Sequence, residues 1–267
     1  MRKIFILRIF VIVMNISNDI SFKARKTEIR KADDIQRKTK AEFPMLSSTY
    51  VDSFYKTTGK YGRITQDRIN LYLHLKKKIF NLRDNTRESF SVDKYIPYVK
   101  KLGKVKEEHV GNCMESASAA VAALIANGYT NTSRCSLVLN ADFINKKSGE
   151  VEYSGTTSLD HSFALTDMNT GKGKNIVVDP WLGFTDSKEG AIARYKQMKT
   201  DRDIRSAIYD VANQYFVGKN EMPFDEIEHD YYIKTRIGFE ECYDVRDKDI
   251  QNLSDYTKEH YPNLILK

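Results

Sequence analysis

"DHSFALTDMNTGKGKNIVVDPW", residues 160–181, sets two short apolar runs around a turn-forming core, "MNTGKG". The first run, "DHSFALTD", and the second, "KNIVVDPW", have the alternation of strands, while the asparagine and two glycines between them suit a tight connection. A hairpin centred at Thr170 places His161 directly opposite Asp179 on one face of the sheet. Opposed side chains have Cβ atoms about 4.5–5.5 Å apart. A carboxylate at that distance accepts from one imidazole nitrogen and leaves the other turned outward. A β-bulge in either run would shift this register by one.

A base held by a carboxylate needs only a nucleophile. "VGNCMESASAAVAALIANGYT", residues 110–130, places Cys113 at the mouth of an alanine-rich helical run that Gly128 closes after Asn127. Gly111 lets the chain turn tightly before it. Backbone N–H groups and the dipole at a helix start stabilise negative charge, which favours a thiolate there. The residues therefore divide into roles. Cys113 attacks, His161 takes and returns a proton, and Asp179 fixes the imidazole tautomer. The N–H groups of Cys113 and Met114 and the side chain of Asn112 are oxyanion candidates. Trp181 either walls the pocket or covers the end of the sheet. A small buried residue at a helix start would equally explain Cys113 alone; the pairing with His161 and Asp179 is what favours chemistry.

The other chemistry-bearing residues read as structural. Cys135, within "SRCSLVL", and Cys242 read as packing. His109 lacks a partnered carboxylate, His74 sits on a lysine-rich helical face, and His229 and His260 are expected in polar loops. Asp160 is expected on the face of its strand opposite His161. Three widely spaced cysteines give neither a disulfide framework nor zinc-ligand spacing, so no metal or cofactor is expected and the thiols are expected to work reduced.

With 267 residues, 41% of them hydrophobic and including 16 Tyr and 13 Phe, the chain can build a sizeable core. Its net charge of +7 is unevenly spread: residues 1–110 carry +13 and residues 111–267 carry −6. The basic stretch "KARKTEIRKADDIQRKTKAE" is either a solvated helical face or a contact for an acidic partner or an anionic membrane. Nucleic acid is not expected, because no recognised module or basic–aromatic stripe accompanies the charge. The opening "MRKIFILRIFVIVMNI" has a basic start and an apolar run interrupted by Arg8. It fits a cleaved signal, a retained export segment or a core element.

Periodicity predicts a charged helix over 17–45 and an amphipathic one over 65–82, capped by Thr65 with Leu71, Leu75, Ile79 and Leu82 on one face. A shorter helix is expected over 91–103. Strands are expected at 133–143, 149–155, 160–167, 174–181 and 230–245, with helical spacing over 186–217. The expected organisation is an N-terminal export or helical extension, 1–90, before an α+β domain, 91–267, with helices packed on an antiparallel sheet.

"GNCMESA", "DHSF" and "VVDPW" together resemble the Cys–His–Asp pattern of the papain-like and transglutaminase-like thiol enzymes. Within that superfamily they most resemble bacterial toxin and secreted-effector deamidases and cysteine proteases. The resemblance covers residues 107–184. It implies a core in which a helix bears the Cys and an antiparallel sheet bears the His and Asp. It also implies a secreted effector that acts on a protein substrate, such as a host protein, in a reducing cytosol. Papain-like peptidases carry a Gln shortly before the Cys, whereas residues 104–112 read "KVKEEHVGN". This departure tilts the expectation to deamidation or transglutamination of glutamine over proteolysis. A catalytically idle partner-binding module is the alternative from another class.

Overall fold

The computed structural model describes residues 26–47, 66–84, 99–168, 171, 173–216 and 224–267. The expectations for residues 1–25, for the Thr65 cap and for most of the 91–103 helix lie outside the described residues.

Helix α1 (26–42) buries Ala32, Ile35, Gln36, Thr39 and Glu42, the three-and-four spacing of a core-facing stripe. Its outer face is polar, with Arg37 paired to Asp33 and Asp34 at 2.9 Å. Helix α2 (Gln66–Asp84) buries Leu75 and Ile79 against Val110. Helix α3 (Leu102–Glu108) buries Leu102 and Val105. Helix α4 (Cys113–Ala126) is buried at every position from Glu115 to Ala126. A helix enclosed on all sides needs small residues so that neighbours can approach, and its six alanines supply that.

Five strands form one sheet in the order β4-β3-β2-β1-β5, every neighbouring pair antiparallel. They are β1 (Thr132–Asn145), β2 (Val151–Thr166), β3 (Ile176–Asp179), β4 (Phe184–Ser187) and β5 (Tyr231–Asp244). Between β4 and β5 run α5 (Lys188–Met198), α6 (Asp201–Phe216) and α7 (Phe224–Asp230), and α8 (Asp247–His260) follows β5. The protein is thus α+β with an antiparallel sheet.

Strand alternation divides the core in two. Ala164, Ile176 and Val178 face α1, α3, α4 and α8, whose Ile35, Leu102, Leu124 and Leu253 fill that layer. Cys135, Leu137, Leu139, Phe163, Leu165 and Val177 face the other way, onto Tyr195 of α5, Val211 of α6 and Ile227 of α7. Helices therefore cover both faces of the sheet. His229 and His260, expected in loops, are the penultimate residue of α7 and the last residue of α8.

The expected strands at 149–155 and 160–167 are one continuous β2, interrupted by a bulge. Ser136 pairs with Ser162 and Val138 with Ser158, so Leu159, Asp160 and His161 together oppose Leu137. Asp160 reaches this conformation with φ at 50°, which L-residues adopt at a cost. The bulge is tied down by Lys199, whose Nζ donates to the Leu159 carbonyl at 2.6 Å, and by the Asp160 N–H, which donates to Ser158 Oγ at 3.1 Å.

Candidate thiol–imidazole–carboxylate site

The β2–β3 hairpin differs in register from the one centred on Thr170. Ala164 pairs with Val178, Leu165 with Val177 and Thr166 with Ile176. This ladder, extended by one pair, sets Asp179 opposite Phe163, two residues from His161. A shift of two keeps both side chains on one face, because side-chain direction repeats every second residue. His161 then reaches Asp179 diagonally, and the adjoining bulge re-aims it.

The imidazole and carboxylate meet in the interior: His161 is 8% exposed and Asp179 fully buried. His161 Nε2–H donates to Asp179 Oδ2 at 2.7 Å. Buried charge is tolerated only with full hydrogen bonding, and Asp179 has it. The Tyr195 hydroxyl donates to the same Oδ2 at 2.8 Å, and the Leu182 N–H donates to Oδ1 at 3.0 Å. The second donor comes from the turn after Asp179, which the Gly183 N–H closes on the Asp179 carbonyl at 2.8 Å.

Cys113 is half-buried at the first position of α4. It lies near enough to His161 that a negative charge on its sulfur would favour the imidazolium. Since Nε2 is committed to Asp179, Nδ1 is the nitrogen left for the thiol. The start of α4 is fixed from two sides. Asn112 N–H donates to Glu115 Oε2 at 2.8 Å, half of a capping box, and Ser47 Oγ–H donates to Asn112 Oδ1 at 2.7 Å. A Cβ at Gly111 would lie 2.5 Å from Met45 Sδ, so the Met45 side chain would have to move aside.

Desolvation of the buried His161 works against its charged form. The Asp179 charge and hydrogen bond, with a smaller contribution from Cys113, outweigh it and raise the pKa from 6.5 to about 9. At neutral pH the imidazole therefore holds two protons, the one on Nε2 donated to Asp179. Burial first, and then the neighbouring Asp179, push the Tyr195 phenol well above its ordinary range, so it remains a donor. Its ring also packs against the imidazole, with centroids 5.3 Å apart and planes at 60°.

The structure thus brings Cys113, His161 and Asp179 together. Asn112 and Met114 flank the thiol in sequence and are half-buried, and Met114 O accepts from Ser118 Oγ at 2.9 Å. Trp181 is buried in the turn that wraps Asp179. Asp160 is exposed within the bulge, and His109 is exposed at the C-terminus of α3 with φ at 53°. Cys135 is fully buried in the α5–α7 layer. Cys242 lies on β5, and its side chain is outside the described residues. Sequence reasoning missed Tyr195, whose position among Ile192 and Met198 gave only the helical spacing of a core aromatic, and the Leu182 N–H, which carries no residue signature. Compared with known proteins, the chain matches no family model and no curated sequence.

Proposed function

We propose that this chain is a thiol enzyme built on a papain-like or transglutaminase-like core. In this reading it cleaves a carbonyl–nitrogen bond through a thioester and acts on the side-chain amide of a protein glutamine. The observation that carries this is the buried His161–Asp179 pair, 2.7 Å long, with Cys113 beside the same ring at a helix start. The Cys113 thiolate attacks the carboxamide carbon. The charge that develops on oxygen is met by N–H groups at the start of α4. His161 gives its Nδ1 proton to the departing nitrogen, which leaves as ammonia, and a thioester to Cys113 remains. His161, now neutral, takes a proton from water. The hydroxide adds to the thioester, and the thiol leaves with a glutamate as the product. Asp179 balances the imidazolium charge, and Tyr195 and Leu182 hold Asp179.

Deamidation, rather than cleavage of the main chain, is supported by the missing glutamine before Cys113 and by the resemblance of the three motifs to effector deamidases. Such a protein acts away from its source cell, in a reducing cytosol where its thiol stays free. Intact-mass analysis of proteins incubated with the chain tests the reading. Deamidation adds one dalton per site and requires Cys113 and His161. Loss of a large fragment would show a protease instead, and no change in any protein would favour an idle binding module.

A further inference from the structure

Helix α2 has two apolar faces, and among the described residues one of them is packed. Leu75 and Ile79, each 4% exposed, pack with Leu82 against Val110. About 120° round the helix, Ile69, Leu73 and Phe80 form a second stripe at i, i+4 and i+11, spanning about 16 Å. They are 37%, 54% and 54% exposed. Lys76 and Lys77, both exposed, flank this stripe on either side. A solvated helix has no use for leucine and phenylalanine at such positions, and a stripe of them bordered by lysines marks a contact surface.

We propose that α2 lies on an anionic lipid surface, with Ile69, Leu73 and Phe80 inserted among the acyl chains and Lys76 and Lys77 at the phosphate level. Three observations favour this occupant. The stripe is flanked by two lysine ammoniums, which suits anionic headgroups. The charge is complementary, because residues 1–110 carry +13. Finally, among the described residues no helix is long and apolar enough to cross a membrane, so the contact lies in the plane of the surface. This inference is independent of the thiol chemistry, and the stripe shares no residue with it.

Flotation of the full chain with vesicles tests it. The chain is expected to float with vesicles of phosphatidylcholine and phosphatidylserine, and much less with phosphatidylcholine alone. Rising salt should release it, as screening requires. Lys76→Ala and Lys77→Ala should each weaken binding about fivefold. Leu73→Ser combined with Phe80→Ser should weaken it at least about tenfold. These side chains are exposed, so the melting temperature and Cys113 alkylation should not change. A chain that stays with the aqueous phase on phosphatidylserine vesicles overturns the proposal. So does a Leu73→Ser/Phe80→Ser variant that floats like the parent, since another segment, such as the apolar run near the N-terminus, would then carry the contact. Capture of an acidic protein without vesicle binding also overturns it.

Discussion

At Asp179 both carboxylate oxygens are spoken for: His161 Nε2–H and the Tyr195 hydroxyl share Oδ2, and the Leu182 N–H binds Oδ1. An asparagine cannot satisfy this arrangement. With its oxygen at the Oδ2 position, its amide nitrogen faces the Leu182 N–H; turned over, it faces Nε2 and the phenol. Either way donors meet donors, and Asp179→Asn should lower stability by about 1–3 kcal/mol. The same change removes the charge that stabilises the imidazolium, so turnover should fall by roughly ten- to a thousandfold, less than in serine triads because a thiol is the more acidic nucleophile. Steady-state rates and urea unfolding of the variant check both parts; full turnover would remove Asp179 from the mechanism. The positions of Cys113, His161 and Asp179 were legible because each residue type sits where its local structure gives it a purpose. Tyr195 was not, since an aromatic in a core-facing helix looks the same whether or not its hydroxyl has a carboxylate to hold.

The bulge Leu159–His161 is the element that aims the His161 ring, and "SLD" before His161 carries no signal for it. Period-two patterning located both halves of β2 but not their continuity: burial alternates from Tyr153 to His161, but Gly155, Thr156, Thr157 and Ser158 between the halves are too polar for an apolar alternation to show. Helix α8 was likewise not legible: its core side holds Ser254 and Thr257 beside Leu253, too polar for an apolar stripe to stand out. The conformation of Asp160, with φ at 50°, gives the bulge a test. Asp160→Val puts a β-branched residue where φ is positive and should cost about 2 kcal/mol or more, with a loss of Cys113 reactivity as His161 shifts. Asp160→Gly tolerates the same backbone and should stay within about 1 kcal/mol of the parent. Equal effects of the two substitutions, read by thermal unfolding, would mean that the bulge is not what sets the site.

For the molecule as a whole, a folded-state imidazole pKa of about 9 against 6.5 unfolded ties stability to pH. The folded state binds the proton more tightly, so the stabilisation is complete below about pH 6.5 and fades as pH rises through about 9. Its full size is about 3 kcal/mol. Urea unfolding near pH 6 and near pH 10 should show this loss in the parent and not in His161→Gln, other titrating groups being common to both. Activity should fall on the same alkaline limb, because a neutral His161 has no proton for the leaving nitrogen.

The most direct test of a thiol enzyme at Cys113 needs no substrate: the rate of Cys113 alkylation by iodoacetamide, followed site by site across pH in the parent and in His161→Ala. A thiolate paired with an imidazolium is alkylated rapidly well below pH 8, with a further change near pH 9 where His161 loses its proton, and His161→Ala loses the reactivity below pH 8. A single ordinary thiol titration, unchanged by His161→Ala, would contradict the assignment.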